Sequence, residues 1–269
     1  MFVYGIGEVK LAERNGQFAV ELLEAEVTRQ GIAPLTERNP GLTVEDAYQI
    51  QLEMVQMKLA EGRTIIGKKV GLTSVAMQQM LNVDEPDYGH LFDDMEVKNN
   101  ETVKVDTMIA PKVEAEIGFV LGDDLIGSNI TYIDVIMATK YVVPTLEIID
   151  SRIKNWHIKL VDTVADNGSS AKVVVGSQQT MLDKVDLRTN SMVLFKNEEL
   201  LATGAGAAAL GHPAHAIAWL ANKLHEYGIT LKKGELILPG ALSGAVAVAA
   251  GDTIEARFGV LGSVTVHFE

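Results

Sequence analysis

Pro111-Lys-Val-Glu114-Ala-Glu116-Ile-Gly-Phe-Val reads as a strand. Side chains alternate across a strand, so Glu114 and Glu116 share one face while Val113, Ala115 and Ile117 share the other. Taken alone, this is an amphipathic strand with two glutamates in water. A second stretch, Tyr141-Val-Val-Pro-Thr-Leu-Glu147-Ile-Ile-Asp150, is apolar on both faces, as a buried strand is, yet carries one carboxylate in its middle. A buried carboxylate is costly without a cation or hydrogen bonds to compensate it. Three carboxylates converging from two strands make a hard oxygen site suited to Mg²⁺ or Mn²⁺.

Working outward, the first sixty residues read as helical. Val9, Leu11, Phe18, Leu22 and Val27 recur among Glu, Arg and Gln up to Gly31. A second helix starts at Thr43, which reads as its N-cap with Asp46 three residues on, and carries Ala47, Ile50, Leu52, Val55, Met57 and Leu59 to Gly62. Short β-branched runs then dominate: 64–66, 102–105, 113–121, 141–149, 172–175, 191–195, 236–238 and 264–268, with helical stretches near 133–139 and 214–227. Their spacing is too irregular for βαβ units. The expectation is an α+β chain, with residues 1–62 a helical layer and residues 63–269 a β-rich catalytic core forming one structural unit.

Composition narrows the chemistry. The 269 residues are 47% hydrophobic and 22% charged, ordinary for a globular protein. No cysteine is present, which excludes disulfides, cysteine-ligated zinc, iron–sulfur clusters and thiol catalysis. A net charge of −13 argues against nucleic-acid binding, which draws on the opposite sign. The start, Met1 to Gly7, does not read as a signal peptide, and the uncharged run Leu236 to Gly251 is shorter than the roughly 20 residues of a membrane helix. A cytoplasmic protein is the expectation.

Three motifs fail on inspection. The run 62–68 has phosphate-loop spacing, but Lys69 stands where a hydroxyl should hold Mg²⁺, and Thr64-Ile65-Ile66 favours a strand. Residues 204–209 match a dinucleotide turn, but no βαβ half precedes them, so they read as small residues allowing close backbone packing. His212 and His215 flank Pro213 with no acidic partner, which points to surface or capping roles.

Other polar groups need a place. One of the paired lysines Lys68 and Lys69, at a strand end between Gly67 and Gly71, faces inward or else both are solvated; an ammonium beside a divalent ion has a lowered pKa. Asp84 to Gly89 reads as a turn whose acids are solvated. Asp166 to Ser170 reads as a polar loop offering hydroxyls and amides to an anion.

With these residues assembled, the chain resembles the 2-keto-4-pentenoate hydratases of the fumarylacetoacetate hydrolase superfamily. The likeness runs from about Leu42 to Glu269 and is carried by GKKVGLTS (67–74), EPDYGHLFDDM (85–95), PKVEAEI (111–117), PTLEIIDSRI (144–153), DTVADNGSS (162–170) and GAGAAALGHP (204–213). The resemblance implies a mixed β-sheet roll with flanking helices, assembled as a homo-oligomer. It implies Mg²⁺ or Mn²⁺ held by Glu114, Glu116 and Glu147, with Lys69 and Asp87 catalytic and Ser170 a substrate contact. The implied reaction is hydration of a 2-hydroxy-2,4-dienoate, handled as its 2-keto tautomer, to a 4-hydroxy-2-oxo acid in aromatic meta-cleavage catabolism. Asp87 in Pro-Asp-Tyr-Gly and the stretch 154–167 resemble the hydratases. GHP at 211–213 and GAVAVAAGD at 244–252 are shared with, or lean toward, the related 2-oxo-3-hexenedioate (4-oxalocrotonate) decarboxylases. That leaves decarboxylation, or a non-catalytic partner subunit in a complex of hydratase with decarboxylase, as the alternatives.

Overall fold

The structure is a computed structural model that describes residues 6–74, 78–79, 83 and 85–269, with side chains from residue 11 onward. Helix α1 (Ile6–Thr28) buries Phe18, Ala19, Leu22 and Ala25. It ends before the expected Gly31, because Arg29 turns into the left-handed region at φ 58°. Leu11 and Val27, read as part of its apolar stripe, are exposed. A short α2 (Leu35–Arg38) leads to α3 (Val44–Ala60), where Thr43 and Asp46 form the reciprocal capping box that their spacing announces. The buried stripe of α3 includes Ala47, Ile50, Gln51, Met54, Val55 and Lys58. Two polar residues thus stand in place of Leu52 and Met57, and each has a partner that explains its burial. The Gln51 amide donates to the carbonyls of Tyr88 (2.9 Å) and Val164 (2.7 Å), and Lys58 donates to Glu26 at 2.6 Å.

The strands are β1 (Ile65–Gly71), β2 (Asp87–Phe92), β3 (Glu96–Lys98), β4 (Thr102–Val103), β5 (Lys112–Leu121), β6 (Thr139–Ile149), β7 (Ser170–Val175), β8 (Ser191–Lys196), β9 (Glu199–Ala205), β10 (Leu236–Leu238), β11 (Val246–Ala247), β12 (Thr253–Arg257) and β13 (Ser263–Phe268). Three further helices, α4 (Tyr132–Ala138), α5 (Leu160–Ala165) and α6 (Pro213–Glu226), lie between them. Among the described residues, one eight-stranded sheet runs β2-β1-β10-β5-β6-β7-β3 with β11 added to β5; a five-stranded sheet runs β4-β13-β12-β8-β9. The first sheet is mixed: β1–β10 and β3–β7 are parallel, and β5 lies antiparallel to β6 along its length. One hydrophobic core runs from Leu22 and Ile50 through Ile117 and Leu146 to Val264, so the helical layer and both sheets share it.

One sequence reading changes. Asp84 lies outside the described residues, but Asp87, Tyr88 and Gly89 open strand β2 and are buried instead of forming a solvated turn. Gly89 is there for proximity, since a Cβ at that position would meet the Asn167 carbonyl oxygen at 2.3 Å. The small-residue segment at 204–206 packs as expected: a Cβ on Gly206 would meet the Leu187 carbonyl oxygen at 1.7 Å. His212 caps α6, accepting from the Ala214 amide.

Candidate active site

The centre of the large sheet brings the three glutamates together. Glu114 of β5 stands directly across from Glu147 of β6, and Glu116 lies two residues along β5 on the same face. One carboxylate oxygen from each lies within 4.8 Å of the others. Like charges placed directly opposite in a sheet repel. Glu147 and Glu116 are nevertheless buried, at 0% and 1% exposure. Glu116 accepts from the Gly240 amide at 2.7 Å, while among the described residues neither oxygen of Glu147 has a hydrogen-bond partner. Burial pushes Glu147 up to about 7, with Lys69 opposing and Glu114 reinforcing the rise. Burial, with Glu147 and Glu114 alongside, pushes Glu116 up as well. A site with three convergent carboxylates and two orphaned oxygens fits a hard divalent cation, which takes oxygen ligands and removes the repulsion.

Lys69 is the cation at this cluster. Its ammonium is buried, donates to the Gly168 carbonyl at 2.9 Å and lies 3.6 Å from Glu147. Burial alone depresses a lysine, but Glu147, Asp87, Glu114 and Glu116 outweigh it and hold this one above its ordinary range. A divalent cation neutralising those carboxylates would remove the field that raises it. The other lysine is also buried: Lys68 points to the opposite face and donates to Glu235 at 2.6 Å. Neither lysine of the pair is solvated.

Asp87 joins Lys69 through the β1–β2 pairing, which sets Gly71 against Asp87. A Cβ at Gly71 would sit 2.1 Å from Asp87 Oδ1 and 3.2 Å from Lys69 Nζ, so the glycine leaves room for both groups. Asp87 Oδ2 accepts from the Thr163 hydroxyl of α5 at 3.3 Å, whereas Oδ1 is buried without a partner among the described residues. A cavity of about 250 Å³ opens here; Lys69, Asp87, Glu114, Thr163 and Ser169 line it, together with Lys112 and Trp156.

Ser170 stands back from the cavity wall, beside Glu147. It is fully buried, lines no wall of this cavity, and its hydroxyl sits near enough to Glu147 to favour the ionised carboxylate. Of the polar loop before it, Gly168 and Ser169 line the cavity, but its acid does not. Asp166 turns inward onto buried Arg152, which donates through Nε to its carboxylate and through Nη2 to its carbonyl at 2.6 Å. Thr163, Gly240, Lys112 and Trp156 were not singled out from sequence, because what marks them is a neighbour far along the chain.

Residues 64–269 match the family described as fumarylacetoacetate hydrolase C-terminal. The 2-keto-4-pentenoate hydratase of Paraburkholderia xenovorans is 47% identical over 96% of each chain, and the 2-hydroxyhexa-2,4-dienoate hydratase of Comamonas testosteroni is 43% identical over 98% of this chain and 99% of its own. A solved structure of the 4-oxalocrotonate decarboxylase from Pseudomonas putida G7, complexed with magnesium and adipate, superposes with a TM-score of 0.93 at 41% identity, covering 96% of this chain and 98% of that one. The mixed sheets, the convergent glutamate triad and these full-length likenesses agree, and the chain belongs to the fumarylacetoacetate hydrolase family, among the 2-keto-4-pentenoate hydratases and their relatives.

Proposed function

We propose that this protein is a metal-dependent hydro-lyase that adds water to a 2-hydroxy-2,4-dienoate to give a 4-hydroxy-2-oxo acid. The observation that carries the reading is the orphaned, fully buried Glu147 carboxylate facing Glu114 and Glu116 beside a cavity that also holds Lys69 and Asp87. Glu114, Glu116 and Glu147 would hold Mg²⁺ or Mn²⁺. Bound there, the ion would supply Lewis-acid stabilisation of negative charge on the substrate's 2-oxo oxygen.

The chain's own groups divide the remaining work. Lys69, fixed by the Gly168 carbonyl, donates and recovers a proton as the dienol is converted to its keto form. Asp87 keeps Oδ1 unsatisfied at the cavity wall while Thr163 holds Oδ2, an arrangement that orients a water and accepts its proton. Ser170 acts through Glu147, favouring its ionised form. Burial of Lys69 and Asp87 keeps bulk water from competing at the reacting carbons.

A second reading, decarboxylation of a six-carbon 2-oxo diacid, is favoured by the likeness to the 4-oxalocrotonate decarboxylase. The test follows dienoate absorbance in the ultraviolet with Mg²⁺, then with chelator, and identifies the product. Metal-dependent loss of absorbance with a 4-hydroxy-2-oxo acid as product supports hydration. Release of CO₂ from the diacid without hydration of the monoacid supports decarboxylation, and Mg²⁺ binding without turnover of either points to a non-catalytic partner subunit. No helix among the described residues is long and apolar enough to cross a membrane. The reading includes a cytoplasmic setting, a homo-oligomeric assembly and the option of a complex with a related decarboxylase or hydratase; sedimentation of the purified chain, alone and mixed with such a relative, tests the assembly.

A further inference from the structure

The cavity has a buried end and an open end. Lys69, Asp87, Thr163 and Ser169 are buried, while Lys112, Trp156 and Ile158 are half-buried and Ala245 is exposed, so the latter four form the rim. Lys112 begins β5 and shares the face of Glu114. At about 3.4 Å per residue, its Cα lies about 6.8 Å along the strand from that of Glu114. Among the described residues no carboxylate lies within ion-pair distance of its ammonium, even though Glu114 is the next residue on that face. The amine rests instead over the Trp156 ring, 4.0 Å from its centroid.

That platform is built, not incidental. The Trp156 indole N–H donates to the Ala110 carbonyl at 2.9 Å, and the Ile109 and Ala110 amides donate to the Asp150 carboxylate at 2.8 and 2.7 Å. Asn155 and Trp156 both hold left-handed backbone, φ 60° and 56°, a conformation that costs energy in non-glycine residues and persists only where the surroundings impose it. Lys69, the other cation of the cavity, is already engaged by Gly168 and Glu147. In a chain of net charge −13, an unpaired cation at the rim is where a second negative group on the substrate would be tolerated.

We infer that Lys112, held by Trp156, is a subsite for a carboxylate at the far end of the substrate, so the protein takes dienoates that are diacids. This rests on the reading that the 2-oxo acid head sits at Glu114, Glu116 and Glu147. A monoacid offers Lys112 no charged partner, whereas the second carboxylate of a diacid supplies the rim cation with the anion that no neighbouring side chain gives it. Charge-assisted pairing there gives selectivity for the diacid without touching the reacting carbons.

Calorimetry on the Mg²⁺-loaded full chain, with adipate and hexanoate as probes, separates this from the reaction itself. The wild type should bind adipate at least tenfold more tightly than hexanoate. Lys112→Met, which keeps the apolar stem over Trp156, should erase that preference while leaving hexanoate affinity within twofold, and Lys112→Arg should retain it. The inference is overturned if the wild type shows no preference, if the preference survives in Lys112→Met, or if both ligands weaken together, which would place Lys112 at the head group. A parallel comparison of kcat/KM for six-carbon diacid and five-carbon monoacid dienoates should show the Lys112→Met loss confined to the diacid. Absence of turnover with a Lys112-dependent adipate preference would sink the hydratase reading and leave the subsite standing.

Discussion

Two clusters of buried charge sit a few residues apart in this protein, and they differ in one respect. At Arg152 every group is satisfied: the guanidinium donates to the Asp166 carboxylate, to the Asp166 carbonyl, and to the carbonyls of Asp150 (2.8 Å) and Ser170 (3.0 Å). Asp166 in turn accepts from Ser151, Ser169 and the Arg152 amide. At Glu147 three carboxylates face one ammonium, and two oxygens have no partner among the described residues. A closed network is structural, because nothing is left over to bind a ligand. An open one keeps acceptor oxygens free for a ligand.

The contrast can be broken in four ways, starting with the largest effect. Arg152→Met leaves Asp166 buried and unpaired, and should cost about 3–5 kcal/mol in denaturant unfolding; a loss under about 1 kcal/mol would show that the network is not structural. Glu147→Gln should act in the opposite direction when metal is chelated. With its carboxyl raised from 4.5 to about 7, the wild type loses stability as pH climbs through that interval, up to about 3 kcal/mol. The variant should therefore unfold later than wild type at pH 8 in chelator, yet gain nothing from Mg²⁺. Equal melting temperatures in chelator would mean that the triad is relaxed without an ion.

The third is Gly71→Ala, whose new methyl would collide with Asp87 Oδ1. Displacing the acid by about an ångström should lower turnover on the order of 100-fold with far-ultraviolet circular dichroism unchanged, and full activity would remove Asp87 from the reacting centre. Smallest is Thr163→Val, which deletes the hydrogen bond that Asp87 Oδ2 accepts. A loss of about 1 kcal/mol, or several-fold in kcat with metal affinity intact, is expected; an effect confined to metal affinity would refute the positioning role.

The open cluster was more legible from sequence than the closed one. A period of two placed Glu114 and Glu116 on one face, and a lone acid in an apolar run marked Glu147, because both signals are local to a strand. Asp87 and Asp166 misled for the same reason. Pro86 and Gly89 around the first, and Gly168, Ser169 and Ser170 after the second, are the residue types of solvated turns. What buries them is Asn167 against Gly89 in one case and Arg152 in the other, neither of which announces itself as a neighbour in the chain. The fold followed the same division. The long runs at β5 and β6 were readable, whereas β2, β3, β9 and β12 pair through partners that periodicity does not reveal.

The side-chain amide of Gln51 has a wider bearing than its size suggests. It ties the backbone next to the candidate acid to the helix that carries Thr163, and its oxygen meets His90 Nδ1 at 3.1 Å. A truncated chain beginning at residue 63 would inherit all six candidate site residues and still be crippled, with those carbonyls uncovered and Asp87 free to drift. The leading helices are better regarded as the jig in which the tool is set than as a cover that could be lifted off.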